Sequence, residues 1–133
     1  MINKDIIRLA SNTSNVGLKN KYSHKISLKN STCGDKITLE LIADKKKISS
    51  MKYETISCVY CEASASLISR KIKNVKLKDI KNDLITLKKI SLKKNVKIPK
   101  RLTDFEKLLN SDNFNRFKCI FLPIDAVLKA LKL

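Results

Sequence analysis

From Lys36 the chain alternates without a break: Ile37, Leu39 and Leu41 fall on one side, and Lys36, Thr38 and Glu40 on the other. A period of two residues is that of a half-buried strand. Upstream, HKISLK alternates Ile26 and Leu28 with polar neighbours, and downstream Ile48 to Ile56 sets Met51 and Tyr53 on one face. Short polar links, Asn30 to Gly34 and ADKKK, join the three segments. Consecutive strands with links this short predict an antiparallel meander.

Helical periods flank the meander. Ile2, Ile6, Ile7 and Leu9 predict a leading helix over about residues 2–11, closed by the polar run SNTSN. After Cys58 the run EASASLISRKIK places Ala65, Ile68 and Ile72 on one side and predicts a helix from near Glu62. Thr103 and Glu106 form a capping box for a helix over DFEKLLN. Ile120, Ile124, Val127, Leu128 and Leu131 form the apolar stripe of a terminal helix, with Pro123 expected in its first turn, where a missing N–H leaves no intrahelical bond unmade. Residues 75–101 are lysine-rich with a weak helical period that Pro99 ends. The expected architecture is one α+β domain over residues 1–133, a three-stranded antiparallel β-sheet with helices packed on one face and a lysine-rich insertion at about 75–101.

Composition narrows the class. At 133 residues and 43% hydrophobic, the chain suffices for one modest core, and with 5% aromatic residues and no Trp that core should be aliphatic. The formal charge of +17 would suit an anionic partner. It is carried by 25 lysines against 4 arginines, scattered along every segment. Arginine is the better bidentate reader of phosphate, so a solvated basic surface is expected rather than a nucleic-acid face. No stretch approaches the roughly 18 apolar residues of a membrane span, and MINKDIIRLA lacks the apolar core of a secretory signal. The expectation is a cytoplasmic protein with neither a membrane nor a nucleic acid as partner. In a reducing cytosol its four cysteines point to metal binding, catalysis or inert burial rather than to disulfides.

Three of them fall at junctions: Cys33 between the first two strands, Cys58 between the third strand and the Ala-rich helix, and Cys119 at the start of the last helix. Such junctions can converge at one end of a sheet. Helix N-termini favour negative charge, and a thiolate is both metal ligand and nucleophile. Spacing by itself leaves two readings open. Cys58-x-x-Cys61 is a single pair without the matching second pair of a zinc knuckle, and buried free cysteines also serve as small hydrophobes.

TCGDKITLEL, CVYCEASASLIS and RFKC ahead of a terminal helix, preceded by IIRLASNTSNVG, resemble the iron-sulfur cluster assembly scaffold family of NifU amino-terminal domains, IscU and SufU. The resemblance spans almost the whole chain, and its most specific parts are Cys33-Gly34-Asp35 and Ala63-Ser64-Ala65-Ser66. It implies a Cys3Asp metal site made of Cys33, Asp35, Cys58 and Cys119. Such a site suits a tetrahedral Zn2+, and the same thiolates could hold a [2Fe-2S] cluster. Cys61 stands where relatives have a small residue and is expected to be a packing residue. Gly34 lets the flanking ligands share one tight turn.

Within the family, the scaffold branch carries a histidine before the last cysteine and a Leu-Pro-Pro-Val-Lys chaperone motif; this chain has Lys118 and NFNRF. It also has Ser57 where a glycine often precedes the second cysteine, and RLA and NTSN where relatives carry Asp-His-Tyr and Asn-Pro-Arg-Asn. The long interval from Cys58 to Cys119 and Arg116, three residues before the last cysteine, resemble the SufU branch. That likeness implies a zinc-dependent acceptor of persulfide sulfur from a cysteine desulfurase, with Cys33 as the attacking thiol and Arg116 assisting, and downstream cluster assembly or acceptor proteins as further partners. An IscU-type scaffold without sulfur transfer, and a basic nucleic-acid-binding module with structural cysteines, are the alternatives. His24, the only histidine, is expected at a strand edge or loop.

Overall fold

A computed structural model describes residues 4–31, 34–90 and 96–133. In chain order the elements are α1 (Lys4–Ser11), β1 (His24–Lys29), β2 (Lys36–Ala43), β3 (Ile48–Ile56), α2 (Val59–Lys71), α3 (Leu77–Lys89), 3-10 segments at Lys100–Lys107 and Ser111–Arg116, and α4 (Phe117–Ala130). The strands pair antiparallel in the order β1-β2-β3, with Ile26 opposite Leu39 and Leu39 opposite Tyr53. This is the α+β meander that the alternation predicts.

Ile37, Leu39, Leu41, Met51 and Tyr53 are buried on the inner face of the sheet. There α2 lies against β3 and α4 against β1 and β2, while α1 packs on α2. The free edge of β3 is partly covered: Gly17 donates its N–H to the Tyr53 carbonyl, and Tyr53 donates to the Asn15 carbonyl. Such cover protects an otherwise open edge. On the outer face, Glu40 is sealed to 1% exposure beneath the loop that follows this short pairing. Its Oε1 accepts from the N–H groups of Lys19 and Asn20, and Lys25 Nζ lies 3.4 Å from its Oε2.

Several helical expectations shift. Ile7 is half exposed, leaving Ile6 as the buried residue of α1, and Ile2 lies outside the described residues. The second helix begins at Val59, three residues before Glu62, and is buried on nearly every face rather than on one stripe. Its small residues let α1 and α4 approach from either side. Its hydroxyls stay satisfied: Ser64 donates to the Ile120 carbonyl, Ser66 to the Asn12 carbonyl and Ser69 to the Ser66 carbonyl.

The lysine-rich stretch contains a formed helix, α3, seated by Ile80, Leu84 and Leu87. Thr103 caps no helix; it lies inside the 3-10 segment Lys100–Lys107, whose N-cap is Pro99. Leu102, Phe105 and Leu108 are all buried. Leu102, with φ −117° and ψ 22°, kinks the segment, and beyond the kink the spacing of three between Phe105 and Leu108 suits the 3-10 helix, in which residues i and i+3 eclipse. Pro123 stands seventh in α4, not in its first turn. Its ring removes the donor that helix geometry assigns to the Cys119 carbonyl. The Ser64 hydroxyl meets the adjacent Ile120 carbonyl at 2.6 Å, binding α2 to α4 at this interruption. Among the described residues, no helix is long and apolar enough to cross a membrane.

Candidate metal centre

Backbone bonds bring together the two described ends of the link between β1 and β2. Gly34 donates its N–H to the Asn30 carbonyl, and Asn30 donates to the Asp35 carbonyl, both at 2.8 Å. Gly34 takes a φ of +74°, while a Cβ placed there would touch nothing within 4 Å. The turn therefore selects glycine for its backbone angle, not for space. Asp35 emerges from this turn 4% exposed.

Just past the C-terminal end of β3, whose Ile56 pairs with Lys36, Cys58 is the N-cap of α2. It makes no side-chain cap; instead its own N–H donates to Asp35 Oδ1 at 3.0 Å, and its Sγ lies 3.4 Å from Asp35 Oδ2. One carboxylate thus joins the hairpin link to the head of the central helix. Cys119, third residue of α4 and 3% exposed, completes the group. The ligand atoms of Asp35, Cys58 and Cys119 all lie within 4.8 Å of one another.

The sequence named these three residues along with Cys33, which lies outside the described residues. Cys61 is fully buried in the core and stands apart from the cluster. Arg116, the N-cap of α4, is exposed and contributes no donor; its guanidinium stacks over the ring of Tyr60, 5.6 Å from the centroid. Tyr60 is the residue that sequence reasoning missed. Its position two after Cys58, with Arg116 three before Cys119, was the available signal. His24 begins β1 and pairs with the Ser23 hydroxyl, away from the cluster.

Two soft sulfur donors and one hard oxygen, brought from three distant segments to one point, match the donor chemistry of zinc and of iron in a cluster. The fold and this cluster define the class: an α+β domain that gathers thiols and a carboxylate at the end of a three-stranded sheet. The NifU-like N terminal domain family matches residues 1–119. The iron-sulfur cluster assembly scaffold protein IscU of Thermotoga maritima is 31% identical over 105 residues, which are 78% of this chain and 73% of that one. The chain therefore belongs to the NifU-like N-terminal domain family, that of the iron-sulfur cluster assembly scaffolds. Two solved structures share the fold. The N-terminal part of a nitrogen-fixing NifU-like protein from Brucella abortus superposes with a TM-score of 0.87 at 21% identity, covering 98% of this chain and 91% of that one. A putative iron-sulfur cluster assembly scaffold protein for the SUF system from Fervidobacterium islandicum superposes with a TM-score of 0.86 at 20% identity, covering 98% and 96%.

Proposed function

We propose that this chain is a cytosolic iron-sulfur cluster assembly protein of the SufU type, accepting persulfide sulfur from a cysteine desulfurase at a site made of Cys33, Asp35, Cys58 and Cys119. The observation that carries the reading is the convergence of the Asp35, Cys58 and Cys119 ligand atoms within 4.8 Å. Zn2+ held by these residues would keep the thiols deprotonated and ordered until a partner docks.

The work of the chain's own residues follows from thiol exchange. The Cys33 thiolate attacks the outer sulfur of the desulfurase persulfide. The sulfur–sulfur bond of the donor breaks, the desulfurase cysteine leaves as a thiolate, and the transferred sulfur remains on Cys33 as a new persulfide. No external oxidant or reductant is needed. Asp35 orients Cys58 by accepting its N–H, and Arg116, exposed at the head of α4, draws the anionic persulfide inward.

A second reading, an IscU-type [2Fe-2S] scaffold without sulfur transfer, is favoured by the similarity to the Thermotoga maritima protein. Lys118 in place of a histidine before Cys119 weighs toward the SufU reading. Anaerobic purification with zinc and iron assay and a visible spectrum separates the two. Stoichiometric zinc without colour, together with labelled sulfur passing from a desulfurase to wild type but not to Cys33→Ser, supports sulfur acceptance. Cluster absorbance with no sulfur transfer supports the scaffold.

A further inference from the structure

A cleft of about 320 Å3 opens between the end of β1, with the turn after it, and one flank of α4. It adjoins the donor cluster: Asn30 in its wall donates to the Asp35 carbonyl, and Lys118 directly precedes Cys119. Lys29, Lys88, Lys118 and Lys129 line it against one carboxylate, Asp125, which Lys88 already holds at 2.5 Å. Lys29, Lys118 and Lys129 are exposed and have no ion pair among the described residues. Leu28, Phe121 and Leu122 give the cleft a shallow apolar floor.

We infer that this cleft docks an acidic segment of a partner protein, setting carboxylates against Lys29, Lys118 and Lys129 and an apolar side chain against Leu28, Phe121 and Leu122. The docked partner would stand beside Cys119 and Asp35. Charge complementarity demands an anion, and two features favour a polypeptide over a nucleic acid. Every free cation of the cleft is a lysine, a point charge rather than a bidentate phosphate reader. Phe121 is only 9% exposed, which leaves less ring than a stacked base would cover. The inference rests on the proposed function only in taking the partner to be one that exchanges sulfur or a cluster with this chain.

The test is fluorescence anisotropy on the full chain, with a short labelled peptide of glutamates interspersed with leucines and a matched peptide carrying glutamine for glutamate. The combined variant K29Q/K118Q/K129Q is compared with K45Q/K46Q/K47Q, which removes the same charge from the β2–β3 link at the opposite end of the sheet. Wild type binds the glutamate peptide in a salt-sensitive manner and not the glutamine peptide. The cleft variant loses about tenfold or more in affinity, and the remote variant stays within about twofold of wild type. K29Q/K129Q, which leaves the residue before Cys119 untouched, shows the same direction of loss and guards against damage to the cluster. Equal weakening in cleft and remote variants, no binding by wild type, or a short single-stranded oligonucleotide that binds the cleft more tightly than the peptide would each overturn the inference. No desulfurase enters this assay, so its failure leaves sulfur acceptance standing, and the absence of sulfur acceptance leaves the peptide result standing.

Discussion

Arg116 lies over the ring of Tyr60, 5.6 Å from guanidinium carbon to ring centre, and so links the segment that carries Cys119 to the helix that Cys58 heads. A cation–ring contact at an exposed guanidinium contributes about 0.5–1 kcal/mol. A double-mutant cycle of Arg116→Ala and Tyr60→Leu, followed by urea unfolding, should return a coupling energy of about that size. Tyr60→Phe keeps the ring face and should keep most of the coupling. A coupling near zero would show that the stack holds nothing together.

Asp35 accepts from the Cys58 amide while almost fully buried. Asp35→Ala leaves that N–H without its carboxylate, and a hydrogen bond to a charged acceptor contributes about 1.5–3 kcal/mol. Chelator-treated Asp35→Ala should therefore unfold at lower urea than chelator-treated wild type. Equal midpoints would remove the structural role and leave Asp35 a ligand alone.

The two cysteines of the CVYC run should behave oppositely. Cys61→Ala empties a little core volume and should cost about 1 kcal/mol with zinc stoichiometry unchanged. Cys58→Ala should lose zinc. Metal analysis of both purified variants decides, and zinc lost from Cys61→Ala would redraw the ligand set.

Glu40 gives a pH signature away from the cluster. Burial pushes its carboxyl pKa up, but the Lys19 N–H, the Lys25 ammonium and the Asn20 N–H outweigh that and hold it below its usual 4.5. Because the folded value is the lower one, the stabilisation is fully present above the unfolded value and is lost as pH falls through the folded value. The melting temperatures of wild type and Glu40→Gln should differ most near neutrality and converge in acid below pH 4.5. A gap that persists into acid would show that the carboxylate's charge contributes nothing.

Strands were legible because Ile37, Leu39 and Leu41 must face one way whatever surrounds them. The ends of helices were not. Cys58 caps α2 through its backbone, with a partner, Asp35, that lies on the far side of the hairpin, and no local pattern announces such a pairing. Thr103 and Glu106 spell a capping box, yet the chain kinks at the buried Leu102 and winds on as a 3-10 turn that buries Phe105 and Leu108. Pro123 stands mid-helix, and nothing local in sequence marks the Ser64 hydroxyl that ties α2 to α4 at the neighbouring Ile120 carbonyl. At the candidate centre the donors were readable as a family motif, whereas the Tyr60 stack depends on how two helix starts approach each other.

The separate origins of Asp35, Cys58 and Cys119 have a bearing on the life of the protein in a cell. Only a chain that has paired β2 with β3 and seated its last helix presents all three donors to an ion, so any ion bound there would favour the folded chain over every partly opened form. Scarcity of that ion would then shorten the survival of the protein against proteases, and its abundance would track the supply.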